Sequence, residues 1–290
     1  MNPCGHDARA RLMQRVALVT GCRSGFGLGV ARHAAQRGYF VYAGLRDIET
    51  RGELEKATSG LPVQPVQLDV TRAEERAAVI DRIRQEHGRL DALVNNAGMA
   101  LGGFLEEIEE DELRALFDVN VFGAWAMTRQ SLPLMRESGG GHVIMVSSMS
   151  GRTAIPGLGA YAGSKFALEG LSEAWRHELA VFGIRVVCVE PGAYRTDIFG
   201  RNRRIGRRAR DPGSPYAPYI DRLDEMFRRT VDRIARDPDE VCERIVDLMQ
   251  QRRPAFRHPV GPGARPREMA LKLVPFGAVE AVVRRVVFRK

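Results

Sequence analysis

The stretch TGCRSGFGLGV, from Thr20 to Val30, decides the fold. Three glycines, Gly21, Gly25 and Gly27, follow an apolar run, VALVT, that is typical of a buried strand. A strand, a tight glycine turn and a helix that starts near Phe26 point free backbone amides and the positive end of the helix dipole at the turn. Because glycine lets a ligand approach the backbone closely, the stretch predicts a pyrophosphate site.

The glycine spacing is GxxxGxG rather than the GxGxxG of the dinucleotide fingerprint, so a turn used only for close packing is the alternative. Cofactor choice is expected at the tip of the second strand, where a carboxylate binds the ribose of NAD. The sequence there is AGLRD, with Leu45 at the place of the acid. Arg46 follows and suits the 2'-phosphate of NADP. We therefore expect NADP, with NAD as the alternative if Asp47 takes the role of the acid.

Apolar, β-branched runs alternate with amphipathic segments from Val16 onward, as VALVT, YFVYAGL, VQPVQL, DALVNN, HVIMVSS and IRVVCVE. This alternation predicts the α/β class, with a single Rossmann-type doubly wound domain. We expect a mostly parallel sheet of about seven strands flanked by helices, and a C-terminal helical extension. The predicted parts are an N-terminal extension, 1–14, a domain, 15–262, with a substrate loop at about 194–219, and a basic amphipathic tail, 263–290.

Two helices have predictable ends. In TRAEERAAVIDRIRQEHG, Thr71 is predicted as N-cap, Glu74 as its capping-box partner and Gly88 as the stop. A long helical pattern runs from Asp111 to Glu137, and Pro133 is expected to kink or end it.

Composition excludes several classes of protein. The 290 residues are 44% hydrophobic, which allows a substantial core. No run reaches the roughly 18 apolar residues of a spanning helix, and the start, MNPCGHDARARLMQR, lacks the apolar core of a signal peptide, so we expect a cytoplasmic protein. The four cysteines, Cys4, Cys22, Cys188 and Cys242, form no CxxC pair, and neither a disulfide nor a metal site is predicted.

The net charge of +8 comes from the last third of the chain. Residues 195–290 carry 23 basic and 13 acidic side chains, against 21 and 23 in residues 1–194. An arginine-rich segment, FGRNRRIGRRARDPGSPYAPY, is either a solvated surface or a site that attracts an acidic substrate, such as an acyl carrier protein or a coenzyme A thioester. It has no aromatic residues interleaved with its arginines and no nucleic-acid motif, so we expect no nucleic-acid partner.

The catalytic candidates are Ser148, Tyr161 and Lys165. Tyr161 and Lys165 are four apart, on one face of a predicted helix, and Ser148 ends the strand HVIMVSS at the sheet edge that forms the ligand crevice. A phenol has a pKa near 10, too high for proton exchange with an alcohol at neutral pH, and a nearby ammonium lowers it. The Ser148 hydroxyl can bind the substrate oxygen whose charge changes during hydride transfer.

With the glycine turn and the NNAG segment, these spacings resemble the short-chain dehydrogenase/reductase family in its TGxxxGxG and YxxxK single-domain form. The match runs from about Arg15 to about Gly261. The resemblance implies a catalytic tetrad of Asn120, Ser148, Tyr161 and Lys165, with Tyr161 as general acid/base. It also implies cofactor contacts from Gly21, Ser24, Gly25, Phe26, Gly27, Arg46, Asp69, Val70, Asn96, Ala97, Gly98, Tyr161, Lys165, Pro191, Gly192 and Thr196.

Two further segments, LRDIETRGEL and FRHPVG, resemble the branch that contains retinol dehydrogenases and 17β-hydroxysteroid dehydrogenases. That branch implies a lipophilic alcohol or carbonyl substrate, such as a steroid or a retinoid-like molecule, and NADP. The alternatives are a 3-oxoacyl thioester reductase and a protein that senses NADP without turnover.

The end of the chain leaves three interpretations open. LKLVPFGAVEAVVRRVVFRK places Val279, Val282, Val283 and Val286 on one helical face beside basic residues. It predicts a peripheral membrane helix, a flap on the substrate pocket or a subunit contact. The family resemblance implies a homodimer or homotetramer, formed through the helices that begin near Asp111 and Tyr161.

Overall fold

The computed structural model describes residues 14–196, 198, 203–234, 236–261, 264 and 273–288. Nearly all of the predicted N-terminal extension, 1–14, and the first part of the predicted tail, 263–290, lie outside the described residues, as do 197 and 199–202 of the predicted substrate loop. The division of the chain into three parts therefore stays a prediction.

A seven-stranded parallel sheet forms the centre of the molecule and confirms the predicted fold class. Its strands are β1 (Arg15–Thr20), β2 (Tyr39–Leu45), β3 (Val63–Gln67), β4 (Ala92–Asn95), β6 (Gly141–Val146), β7 (Ile184–Pro191) and β9 (Arg257–Val260). Two short strands, β5 (Ala100–Gly102) and β8 (Arg203–Ile205), form a separate parallel pair. The order across the large sheet is β3-β2-β1-β4-β6-β7-β9, so its direction reverses between β1 and β4, where a ligand crevice is expected.

Helices cover both faces of the sheet. They are α1 (Gly25–Gln36), α2 (Gly52–Ala57), α3 (Ala73–His87), α4 (Glu110–Phe117), α5 (Ala124–Glu137), α6 (Gly159–Glu178), α7 (Ala217–Ile234), α8 (Asp239–Gln250) and α9 (Phe276–Val287). One apolar core joins the sheet to α1 and α8, through residues such as Val30 and Ile245. The other joins it to α3, α5 and α6, through residues such as Ile83, Met127 and Leu168. The strands are continuously apolar because both of their faces are buried.

The predicted cap of α3 is wrong, while its predicted end is confirmed. Arg72 is the N-cap residue and makes no capping hydrogen bond with its side chain. Thr71 instead donates to Oδ1 of Asp69 from its backbone N (2.9 Å) and its Oγ1 (2.7 Å), so its hydroxyl is used in the preceding turn. Gly88 ends the helix with a left-handed φ of 64°.

The long helix predicted from Asp111 to Glu137 is interrupted, but not by its proline. A turn of π-helix, Asp118–Gly123, separates α4 from α5, and α5 continues through Pro133. The side chain of Asn120 lies at this wider turn and is almost fully buried. A π-turn of this kind often marks a functional site.

The C-terminal helix α9 packs beside α7, and none of its residues lines the main cleft. Val283, Val287 and Phe288 lie in a cluster with Phe104 and Leu223, while Val282 remains 62% exposed. The apolar face predicted for this segment is thus divided between packing and solvent, and contact with a membrane surface stays a prediction. Within the described ranges, no helix has the length and apolarity needed to cross a bilayer.

Candidate active site

The glycine turn between β1 and α1 has the predicted conformation. Gly21 and Gly25 have φ values of 72° and 57°, which disfavour residues with a side chain. A Cβ on Gly21 would lie 2.9 Å from Cα of Ala97, and a Cβ on Gly27 would lie 2.2 Å from the carbonyl oxygen of Gly21. Ser24 is the N-cap of α1 but makes no capping hydrogen bond, so the first amides of α1 have no side-chain acceptor. This arrangement fits the pyrophosphate of a dinucleotide.

Hydrogen bonds fix the glycine turn to the end of β4. Oγ1 of Thr20 accepts from the backbone N of Asn96 (3.0 Å) and of Ala97 (2.9 Å). Nδ2 of Asn96 donates to the carbonyl oxygens of Thr20 (2.8 Å) and Gly21 (3.1 Å). The NNAG segment therefore holds the glycine turn in position, because Asn96 and Ala97 are hydrogen-bonded to Thr20 and Asn96 is also bonded to Gly21.

A cleft of about 460 Å³ runs along the carboxyl ends of the central strands. It is lined by the predicted residues Gly21, Ser24, Gly25, Phe26, Arg46, Asp69, Val70, Asn96, Ala97, Gly98, Ser148, Tyr161, Lys165, Pro191, Gly192 and Thr196. Gly27 and Asn120 do not line it: Gly27 packs behind the turn and Asn120 lies behind Gly98. The structure thus brings the predicted site residues together, while their individual roles stay predictions.

The end of the cleft next to β2 carries two guanidinium groups. Arg46 was predicted there, whereas Arg23, which also lines the cleft, was missed by the sequence reasoning although it stands within the glycine stretch. Neither side chain has a hydrogen bond or an ion pair to a described residue. Asp47 does not pair with Arg46, because its Oδ1 accepts from the backbone N of Glu49 (3.1 Å) and caps a short helical turn.

At the other end of the cleft, Ser148, Tyr161 and Lys165 converge from β6 and α6. Nζ of Lys165 donates to the carbonyl oxygen of Val146 (2.9 Å) and lies 5.8 Å from the centre of the Tyr161 ring. Oγ of Ser148 accepts from the backbone N of Ser150 (3.0 Å). All three side chains are buried, so their protonation depends strongly on neighbouring groups.

Burial controls the protonation of Tyr161 and Lys165. It raises the pKa of Tyr161 to about 12, against a smaller lowering by the hydrogen bond with Ser148. It lowers the pKa of Lys165 to about 8, although the negative charge of Glu169 opposes this. The prediction that Lys165 brings the pKa of Tyr161 below 10 is therefore not met here, because desolvation of the phenolate outweighs the hydrogen bond with Ser148. At neutral pH, the phenol of Tyr161 is therefore protonated and Lys165 is mostly charged.

Asn120 is held by the backbone of Met99 and by α6. Its Oδ1 accepts from the backbone N of Met99 (2.9 Å), and its Nδ2 donates to the carbonyl oxygen of Met99 (2.9 Å) and to Oγ of Ser164 (3.0 Å). A Cβ on Gly98 would lie 3.3 Å from Oδ1 of Asn120 and 3.8 Å from Nζ of Lys165, so both groups border the same point. Asn120 thus lies near Lys165 without forming part of the cleft wall.

A crevice with an anion-binding turn at one end and a buried phenol beside a lysine at the other defines the class of Rossmann-type oxidoreductases that use a nicotinamide dinucleotide. Within that class, the chain belongs to the short-chain dehydrogenase/reductase family, whose model for short chain dehydrogenases matches residues 15–205.

Three relatives in sequence illustrate the branch. The uncharacterized oxidoreductase YusZ of Bacillus subtilis is 35% identical over 95% of this chain and 99% of its own length. Human 17-beta-hydroxysteroid dehydrogenase type 1 is 34% identical over 85% of this chain and 77% of its own. Human retinol dehydrogenase 8 is 33% identical over 84% of this chain and 80% of its own length. These similarities place the chain in the hydroxysteroid and retinol dehydrogenase branch, as predicted.

Solved structures show the same fold. A short-chain dehydrogenase from Streptomyces avermitilis has a TM-score of 0.78, with 34% identity over 94% of this chain and 96% of that chain. One from Burkholderia cenocepacia in complex with NADP has a TM-score of 0.72, with 26% identity over 94% and 98%. A 3-ketoacyl-(acyl-carrier-protein) reductase from Brucella melitensis, complexed with NADH, has a TM-score of 0.69, with 26% identity over 82% and 92%. The family fold therefore accepts both nicotinamide cofactors.

Proposed function

We propose that the protein is an NADP(H)-dependent oxidoreductase that interconverts an alcohol and a ketone or aldehyde on a lipophilic substrate. The observation that carries the proposal is the convergence of Ser148, Tyr161 and Lys165 at one end of a cleft that begins at the glycine turn. A protein that only senses the cofactor has no need of a buried phenol and lysine at this position.

Two features support NADP as the cofactor. Arg23 and Arg46 both line the end of the cleft near β2 without an acidic partner among the described residues. Leu45 occupies the end of β2, where an NAD enzyme would carry an acid that repels a phosphate. Two guanidinium groups suit the charge and the fork geometry of a 2'-phosphate.

The proposed mechanism assigns a task to each side chain at the other end. The nicotinamide, when bound, supplies or accepts the hydride. The Ser148 hydroxyl donates a hydrogen bond to the substrate oxygen and holds it beside Tyr161. Tyr161 gives its proton to the developing alkoxide in reduction and takes it back in oxidation. Lys165, as an ammonium, favours the phenolate that forms during reduction, and Asn120 fixes the backbone of Met99 next to it.

A lipophilic substrate is supported by the relatives and by the cleft wall. Met99 and Ile198 supply apolar surface to the cleft that contains Tyr161. The test is NADPH oxidation with a panel of ketosteroids, retinal, aliphatic ketones and 3-oxoacyl thioesters. Turnover of one apolar carbonyl class supports the proposal, turnover of thioesters alone replaces it with the acyl alternative, and NADPH binding without any turnover favours a sensor.

The rate of reduction should fall as pH rises through about 8. Lys165, with its pKa lowered to about 8, is an ammonium below that pH and neutral above it, while Tyr161, with a pKa of about 12, keeps its proton throughout. The kcat/KM for NADPH reports groups of the free enzyme, so we expect it to decrease about tenfold per pH unit above 8. A profile that stays level from pH 7 to 10 would show that the charge of Lys165 is not required.

We also propose that the protein is a homodimer or a homotetramer. Four large apolar side chains, Phe122, Trp125, Phe166 and Leu171, are at least 37% exposed on the adjoining π-turn, α5 and α6. Such a patch marks an interaction surface more often than a solvated one. Light scattering should give at least twice the 32.2 kDa of a single chain, and Trp125→Arg should shift the mass toward the monomer. A wild-type protein of 32.2 kDa at micromolar concentration would contradict this proposal.

A further inference from the structure

The arginine-rich segment is held in place by acidic residues of the same chain. Arg207 pairs with Asp111 (2.9 Å for one of its two contacts), and its backbone N donates to Glu112. The other pairs in residues 203–210 are Arg203–Asp224 (3.0 Å), Arg208–Glu109 (3.9 Å) and Arg210–Asp224 (3.4 Å). Most of the positive charge of residues 203–210 is thus balanced by acidic residues of the same chain.

Arg204 differs from these neighbours. It is exposed, it lines the same cleft as Ser148 and Tyr161, and its side chain has no hydrogen bond or ion pair to a described residue. It is therefore the arginine of residues 203–210 whose charge faces the cleft without an acidic partner in the described part of the chain.

The backbone of Arg204 is fixed close to the catalytic helix. In the β5–β8 pair it lies opposite Leu101, and the ladder continues with a hydrogen bond from N of Gly206 to the carbonyl oxygen of Gly102 (2.8 Å). Leu101 is buried in a cluster with Ala160, the residue before Tyr161. Arg46 lies on the far side of β1, at the tip of β2. The backbone of Arg204 is therefore at the Tyr161 end of the cleft that its side chain lines, whereas Arg23 and Arg46 lie towards the glycine turn and the tip of β2.

A wholly apolar substrate would be a poor match for this end. Covering a guanidinium with apolar surface removes water from the charge without supplying an acceptor, which opposes binding. A carboxylate or phosphate on the substrate would instead form a charge-assisted pair with the planar fork of the arginine.

We propose that Arg204 binds an acidic group, a carboxylate or a phosphate, of an amphiphilic substrate whose apolar body lies along Met99 and Ile198. This inference rests on the proposed function, because it places the acidic group relative to a carbonyl held at Tyr161. It narrows the substrate class from lipophilic alcohols and carbonyls in general to those that carry an acid.

The test measures binding by calorimetry, so that it does not depend on turnover. The probes are octanoate, octyl phosphate and 1-octanol, titrated into the full chain with and without NADPH. For the wild-type protein we expect at least one of the two anions to bind about tenfold more tightly than 1-octanol, since a charge-assisted contact at a partly exposed site has about that effect. Arg204→Gln should remove the difference and leave 1-octanol binding within about twofold.

Arg208→Gln is the matched control, because Arg208 lies on the same segment but pairs with Glu109 and does not line the cleft. It should keep the preference for the anion. Equal binding of the anions and 1-octanol by the wild-type protein would overturn the proposal, and so would a preference that persists in Arg204→Gln. Whichever of octanoate and octyl phosphate binds more tightly identifies the acidic group of the substrate as a carboxylate or a phosphate. Failure to reduce any carbonyl would refute the proposed function instead, since binding of the probes requires no reduction.

Discussion

Replacing Tyr161 with phenylalanine should lower kcat by about a thousandfold or more and leave NADPH binding nearly unchanged. The phenol is buried, and its pKa of about 12 makes it a proton donor at neutral pH. Removing the hydroxyl removes the proton for the alkoxide, and general acid catalysis contributes about 10² to 10⁴ in rate. The ring, which fills the space beside Lys165, remains. Turnover and NADPH fluorescence titration, measured on the same preparation, separate the two effects.

Tyr42→Phe is the control for this experiment. The Tyr42 hydroxyl donates to Oε2 of Glu86 (2.5 Å) and the residue does not line the cleft, so its loss should not change kcat. If Tyr161→Phe kept more than about a tenth of the wild-type kcat, proton transfer would have to come from another group and the assignment of Tyr161 would be wrong. A loss of NADPH binding would show instead that the substitution had disturbed the cleft.

Local spacing was enough to predict the centre of the site. The glycine turn, each apolar strand run and the Tyr161–Lys165 pair each span no more than about 12 residues, so each can be recognised locally. The doubly wound strand order then brings the carboxyl ends of the strands to one edge of the sheet. The same reasoning explains why Ser148 and Tyr161 meet although Tyr161 comes thirteen positions after Ser148: the chain leaves β6 and enters α6 at that edge.

Features that depend on distant partners were not predictable. Asn120, in the π-turn, is held by hydrogen bonds to Met99, which precedes it by 21 residues. The pairing of Arg207 with Asp111 joins positions 96 residues apart, so the sequence showed an excess of arginine without showing where its counter-charges lie. The pKa of Tyr161 was misjudged for a related reason, because the sequence showed the neighbouring lysine but not the extent of burial. Arg23 is different, because its position within the glycine stretch was sufficient to predict that it lines the cleft, and the prediction omitted it.

Replacing Arg46 with alanine should weaken NADPH about 10- to 100-fold and change NADH by no more than about twofold. A hydrogen bond to a charged group contributes about 1.5 to 3 kcal/mol, and NADH lacks the phosphate that would receive it. Arg23 lines the same end of the cleft and should retain part of the affinity, so Arg23→Ala combined with Arg46→Ala is expected to bring NADPH to the level of NADH. Both affinities are measured by fluorescence titration.

Arg51→Ala provides the matched control for the cofactor experiment. Arg51 lies five residues after Arg46, pairs with Glu55 (3.2 Å) and does not line the cleft, so its removal should leave the ratio of NADPH to NADH affinity unchanged. An equal loss of both cofactors in Arg46→Ala would mean that Arg46 supports the shape of the cleft rather than a phosphate. If Arg46→Ala and Arg23→Ala each left both affinities unchanged, the two guanidinium groups would not select the cofactor. NAD would then become the better candidate.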